Sequence, residues 1–323
     1  MKPFESFLAS MMEGYIAYRK GLGYKTAGLQ SSLRHFDLYV KASASHWDAF
    51  TPLFFVRFRE SLRQEPSAVN CIMHDIRRFF QFIIRQGIME DNPLKYIPPL
   101  KVPLFIPFVF SEKEIEEFLF HAREGIRKRS AYFLKDLSVY CALSLMARCG
   151  LRISEPLHLL LSHFSPKEGC IYIENTKFRK DRLIPIPKAL TRQITNYLSV
   201  RRTLIQNDTN PYLFYGNDNR HIAREAIIRG FHRAVKRCDL YTPRKSVGNV
   251  IFGSPTPHSL RHSFAINTLK RIKEKGASPQ DALPVLAAYM GHTKYRDTAV
   301  YLKVIDAQTR TALFHVSTLR EDI

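Results

Sequence analysis

The chain has 323 residues, 45% of them hydrophobic, enough for two domains that each bury a core. Lys and Arg number 49 against 29 Asp and Glu, a net charge of +20, which favours a polyanionic partner and above all nucleic acid. The five cysteines form no CxxC pair, no apolar run approaches the ~20 residues of a membrane span, and the N-terminus lacks a signal-peptide core; disulfide scaffolds, zinc ribbons and membrane proteins are therefore disfavoured. A soluble, intracellular protein with reduced thiols is expected, in the cytoplasm and with no membrane contact.

The charge is not spread evenly. Residues 1–100 hold 13 basic and 9 acidic side chains, so most of the excess lies in the remainder. The first part reads as four helices, over 3–20, 26–41, 51–64 and 67–87. In the second, Leu29, Leu33, Phe36 and Val40 recur at helical spacing; in the fourth, Ile72, Ile76, Phe79, Phe80 and Ile83 share a face. Arg57, Arg63, Arg77, Arg78 and Arg85 fall on other faces, and as a set they suit one side of a duplex. Pro98, Pro99, Pro103 and Pro107 predict a stiff, extended connection over 98–110. It divides a domain at 1–97 from one at 111–323.

The second domain opens on SEKE at 111–114, a capping box. Helices to about 127 and over 131–148 follow, then CGLRISEPLHLLLSHF. With Ser154 as N-cap, Pro156 falls in a first helical turn and is tolerated, leaving Arg152 just ahead of a helix N-terminus. Residues 170–173 and 182–186 read as paired strands joined by ENTKFRKD, whose tip carries Lys177, Arg179 and Lys180. Helices are expected over 188–205 and 220–238. The latter places Ile227, Phe231 and Val235 on one face and Arg229, Arg233, Lys236 and Arg237 on another, a stripe suited to phosphates.

In TPHSLRHSFAINTLK, Thr256 predicts an N-cap with Pro257 in the first turn, so that His258 and Arg261 share a helical face. A further helix starts at Ser278-Pro279, with a kink expected at Pro284, and stops at Gly291. His292 follows at once, and Tyr301 comes nine positions later.

Cutting a phosphodiester without metal needs cations on the non-bridging oxygens, a nucleophile, and an acid for the departing oxygen. Arg152 and Arg261 suit the first task, because a guanidinium grips phosphate bidentately and keeps its charge. A tyrosine can attack if a positive, base-containing pocket compensates for its pKa near ~10; His258 and His292 would complete such a pocket. Lys177, on a hairpin tip, is the candidate general acid. Tyr295 competes with Tyr301 as nucleophile. The His258/His262 pair at i, i+4 raises zinc, but no Glu stands beside the first His and no carboxylate cluster completes a site.

Taken in order, GLRISE at 150–155, Thr176-Lys177 between two strands, HSLRH at 258–262, Gly291-His292 and Tyr301 resemble the tyrosine recombinase (phage integrase) family. YRKGLGYKT near the N-terminus is similar to that family's core-binding domain, so the resemblance covers nearly the whole chain. It implies a mainly α fold with a small β-sheet: a helical, SAM-like core-binding domain and a catalytic domain. Its catalytic set maps onto Arg152, Lys177, His258, Arg261, His292 and Tyr301, leaving Tyr295 outside. The implied activity is site-specific recombination of double-stranded DNA through a 3′-phosphotyrosyl link and a free 5′-hydroxyl, without ATP, metal or other cofactor. Four protomers on two DNA sites, with a C-terminal tail (302–323) packed on a neighbour, are further implications.

Integration, excision or transposition of a mobile element is the favoured role, and chromosome-dimer resolution the alternative within the same chemistry. A type IB topoisomerase is disfavoured by the N-terminal bundle, and a non-catalytic DNA-binding regulator by the complete catalytic set. Pro156, where the family usually has leucine, and a longer span between Lys270 and Leu283 depart from the pattern without touching a catalytic position.

Overall fold

The computed structural model describes residues 3–44, 46–174, 181–216, 219–292, 298–299 and 301–302. The chain separates into two compact units, Met1–Pro103 and Leu104–Ile323.

The first unit is a bundle of four helices: α1 (Ala9–Gly21), α2 (Ala27–Ser43), α3 (Pro52–Ser61) and α4 (Pro66–Arg85). Its core is aromatic, with Phe36, Phe55, Phe58, Phe79 and Phe80 fully buried and Phe36 packed ring to ring against Phe55, Phe58 and Phe80. The expected cap at Thr51 forms, its hydroxyl accepting from the Phe54 amide at 3.3 Å; such a cap contributes about 1 kcal/mol. The first helix begins later than expected, because the preceding residues are tied elsewhere. The amides of Glu5 and Ser6 donate to the buried Asp37 carboxylate at 3.0 and 2.9 Å. One arginine of the predicted basic face also has a different task. Arg77 donates to the carbonyl oxygens of Leu94 and Ile97 at 3.0 and 2.7 Å and holds the chain after α4. Arg57, Arg63, Arg78 and Arg85 remain at least partly exposed.

The proline-rich stretch is extended but is not a free connection. Asn70 exchanges hydrogen bonds with the backbone of Leu100, which fastens that residue to the first unit. Beyond Pro103, β1 (Leu104–Ile106) pairs in parallel with β6 (Val250–Phe252), itself antiparallel to β5 (Lys245–Val247). Phe110 is fully buried, its amide donating to Ser263 Oγ and its carbonyl accepting from Asn267. Prolines exclude helix here without preventing either unit from claiming its own end of the segment.

The second unit is built round α6 (Ser130–Cys149), which packs against α5 (Glu112–Glu124), α8 (Lys188–Leu204), α9 (Arg224–Arg237) and α10 (Pro257–Glu274). Cys141 through Ala147 are all buried, as a helix surrounded by others requires. The SEKE capping box forms: the Glu114 amide donates to Ser111 Oγ, and the Ser111 amide to the Glu114 carboxylate. A second sheet joins β2 (Phe164–Ser165), β3 (Cys170–Ile173) and β4 (Arg182–Pro185), all antiparallel. Two further helices, α7 (Ser154–His158) and α11 (Pro279–Met290), complete the unit. Ser154 is the first residue of α7 rather than its cap, and Pro156 lies in the first turn as anticipated. Four of the five cysteines are buried and all are free thiols.

Candidate active site

Three helix ends meet at the site: the C-terminus of α6, the N-terminus of α10 and the C-terminus of α11. α6 stops at Gly150 in a left-handed conformation (φ 62°), and a Cβ there would lie 2.5 Å from the Phe264 ring. Glycine is thus required both for the turn and for the close approach of α10. α10 starts where Ser259 Oγ accepts from the Thr256 amide at 3.0 Å, with Pro257 in its first turn. α11 ends at Gly291 (φ 66°), and the His292 amide returns to Ala287 O at 2.9 Å, closing a Schellman turn. Pro284 is accommodated within α11.

Arg261 is 1% exposed. Its guanidinium donates to Gly150 O at 2.6 Å and to Met290 O at 2.7 Å, so it bridges the ends of α6 and α11. Burial and then the nearby Arg152 push its pKa down to about 10, with Glu155 and Tyr301 acting the other way; it stays charged at neutral pH. Arg152 donates to Gly291 O at 2.8 Å and to Glu155 Oε1 at 2.9 Å. Both arginines are therefore oriented by main-chain carbonyls that converge on Met290–Gly291.

His258 lies one turn before His262 on α10, with ring centroids 4.5 Å apart. Burial, then Arg261 and Arg152, hold the His258 pKa below its ordinary value. His292 Nδ1 lies 2.8 Å from Thr298 Oγ1, and its ring is near-parallel to that of Tyr301 at 6.3 Å. Tyr301 is 3% exposed and packs among Ala265, Ile266, Leu269 and Met290. Five of the six predicted site residues thus occupy one neighbourhood; Lys177, like Tyr295, lies outside the described residues.

Three residues of this neighbourhood have no role that sequence reasoning assigns. Glu155, buried, accepts from the Arg152 amide and side chain and, at 3.0 Å, from Arg182 Nη2. Burial pushes its carboxyl upward, but Arg182, the Arg152 amide and Arg261 outweigh that and keep it below the ordinary carboxylate value. Arg182, on β4, also donates to Tyr289 O at 2.8 Å, and its buried Nη1 has no hydrogen-bond partner among the described residues. It lies directly beneath Gly291, where a Cβ would come within 2.8 Å of that nitrogen. The third is His262, whose Nδ1 is 3.2 Å from the Tyr301 hydroxyl. The i, i+4 spacing brings it to notice only as a metal ligand; among the described residues no three His, Cys, Asp or Glu side chains group as a metal site.

A family model described as the phage integrase family matches residues 109–308. The chain belongs to the phage integrase family. As a member it is a tyrosine recombinase, an enzyme that breaks and rejoins DNA in site-specific recombination. It is similar to the tyrosine recombinase XerD of Halalkalibacterium halodurans, at 27% identity over 81% of this chain and 79% of the relative. Among solved structures it is similar to a lambda integrase tetramer bound to a Holliday junction (TM-score 0.61, 16% identity, 89% of this chain and 77% of the other). It is also similar to the Tn1549 transposon integrase in complex with a circular intermediate DNA (TM-score 0.63, 16% identity, 95% and 100%). Both likenesses concern the fold: a helical first unit and a phage-integrase catalytic unit. Among the described residues no helix is long and apolar enough to cross a membrane.

Proposed function

We propose that Tyr301 is the nucleophile of this recombinase and that Arg152 and Arg261 hold the scissile phosphate of a DNA duplex. The observation that carries this reading is the convergence of both guanidiniums on Met290–Gly291, beside His258, His292 and the Tyr301 hydroxyl. Two fixed cations neutralise the non-bridging oxygens as charge shifts in the transition state. The tyrosine oxygen bonds to phosphorus, the bond to the 5′-oxygen breaks, and the phosphate is left joined to Tyr301 on its 3′ side. His258 and His292 line the phosphate, and Lys177 protonates the departing 5′-oxygen. The link conserves the bond energy, so rejoining needs no ATP. The nearly complete burial of Tyr301 keeps the hydroxyl from bulk water until DNA engages the site.

The test is a nicked suicide substrate on which the covalent adduct accumulates. Tyr301→Phe is expected to bind DNA as the unaltered protein does and to form no adduct. Adduct from that variant, lost instead in Tyr295→Phe, would overturn the assignment.

The working assembly in this reading is four protomers on two DNA sites, supported by the likeness of fold to a lambda integrase tetramer bound to a Holliday junction, and we place it in the cytoplasm. Mobility of a DNA element is the role we favour, supported by the likeness to a transposon integrase. Amplification across the joined ends of an excised circle is expected in cells expressing the protein beside its own flanking DNA. Exchange confined to a chromosomal dimer site would favour the alternative.

A further inference from the structure

His262, which touches the Tyr301 hydroxyl, has no part in the roles just assigned. His262 stands on α10 one turn after His258 and one residue after Arg261, so the helix that supplies an anchoring guanidinium also aims this imidazole at the tyrosine. Its Nδ1 lies 3.2 Å from the Tyr301 oxygen, and the ring centroids are 5.7 Å apart at 64°. An imidazole accepting at Nδ1 carries its proton on Nε2. A hydrogen bond from the hydroxyl to that nitrogen turns the O–H bond away from an incoming phosphate and leaves an oxygen lone pair to attack.

We propose that His262 is the general base of the reaction, taking the Tyr301 hydroxyl proton as that oxygen attacks the phosphate. The proposal rests on the reading of Tyr301 as nucleophile. As the bond from Tyr301 oxygen to phosphorus forms, the hydroxyl proton passes to His262 Nδ1. The bond from phosphorus to the 5′-oxygen breaks, and that oxygen takes a proton from Lys177 in the reading above. On rejoining, the 5′-hydroxyl attacks phosphorus and returns its proton to Lys177, and His262 gives the first proton back to the departing tyrosine oxygen. Electrons and protons balance with no further reactant.

The groups facing His262 explain why it takes the proton itself only when DNA is present. Burial first, then His258, Arg261 and His292, push its pKa down to about 3, so the ring is neutral and its Nδ1 lone pair available at neutral pH. The same surroundings make it a weak base. A phosphate seated on Arg152 and Arg261 brings negative charge into that neighbourhood and raises the basicity of the ring. Proton removal is thereby coupled to substrate occupancy.

Full-length His262→Ala and His262→Asn variants test this on the nicked substrate under single-turnover conditions, with DNA affinity and thermal unfolding measured in parallel. Asparagine keeps an acceptor near the Nδ1 position but does not hold a proton at neutral pH. Both variants are expected to bind DNA normally and to form adduct about 10²-fold to 10³-fold more slowly at pH 7. Because a tyrosine hydroxyl ionises unassisted at high pH, the deficit is expected to shrink by about tenfold per unit as pH rises. A deficit of the same size at every pH, an alanine variant within threefold of the unaltered protein, or full activity with asparagine would each overturn the proposal. Tyr301→Phe separates the two readings: adduct from that variant defeats the nucleophile assignment itself. Loss of adduct there, with an unaffected His262→Ala, defeats only the base.

Discussion

A buried carboxylate between two arginines sets the geometry on one side of the site. Glu155 orients Arg152 and is itself held by Arg182, so its charge is wanted in the folded state. Its folded pKa lies below the ordinary value of 4.5. Its contribution to stability is therefore complete above pH 4.5 and is lost as pH falls through the lower folded value. Glu155→Gln is expected to be less stable at pH 7, because it leaves two partly buried guanidiniums without a counter-charge. The gap in denaturation midpoint should narrow as the pH is lowered below 4.5. A gap constant from pH 7 to pH 3.5 would show that the charge of Glu155 does not matter to the fold. In the sequence this residue sits within GLRISE, where the pattern points to its neighbour Arg152. Arg182 reads only as part of a strand, because nothing local in RLIP says that its side chain turns inward beneath Gly291. Roles set by what lies across 27 or 107 positions, as Arg182 has with Glu155 and Tyr289, leave no local periodicity to detect.

Elements with strong local signals are legible in the sequence, and those held by distant partners are not. The capping box at Ser111, the left-handed stop at Gly291, the hairpin of β3 and β4 and the amphipathic faces of α2, α4 and α9 all follow from residues close in sequence. β1 and β6 do not, since three-residue strands with only one buried side chain between them carry little pattern and their partners lie 146 positions apart (Leu104 with Val250). The basic stripe of α9 falls on the expected helix but is not uniform. Arg233 approaches Asp136 at 4.0 Å, a site that Arg127 already occupies at 2.7 Å, and a Cβ on Gly125 would lie 3.2 Å from Arg237 Nη1. Arg229 and Lys236 lie at least partly exposed on the same helix and are the better probes of a phosphate-binding face. Replacing both with alanine is expected to weaken DNA binding without regard to sequence and to lower the slope of log affinity against log salt by about 0.9 for each phosphate no longer neutralised. An unchanged slope would identify the stripe as a solvated surface.

At the scale of the whole chain, the sequence after Tyr301 reads LKVIDAQTRTALFHVSTLREDI, with Ala312, Leu313, Val316 and Leu319 at helical spacing. These four residues lie outside those described. An apolar stripe at a chain end needs cover, and packing on a neighbouring protomer is the cover we propose. Removing the residues after 306 is expected to spare binding to a single DNA site while impairing the complex of two duplexes, measured by gel mobility and by recombination of paired sites. A truncated protein that synapses and recombines normally would place the tail on its own domain or nowhere. The carbonyl anchoring of Arg152 and Arg261 has an evolutionary consequence. Their acceptors are the main-chain oxygens of Gly150, Met290 and Gly291, and a main-chain oxygen survives any side-chain replacement that leaves the backbone path intact. Lineages can therefore diverge widely at the surrounding positions, and laboratory selection for new DNA targets can draw on the same latitude, while the two glycines that bend the chain are far less free to vary.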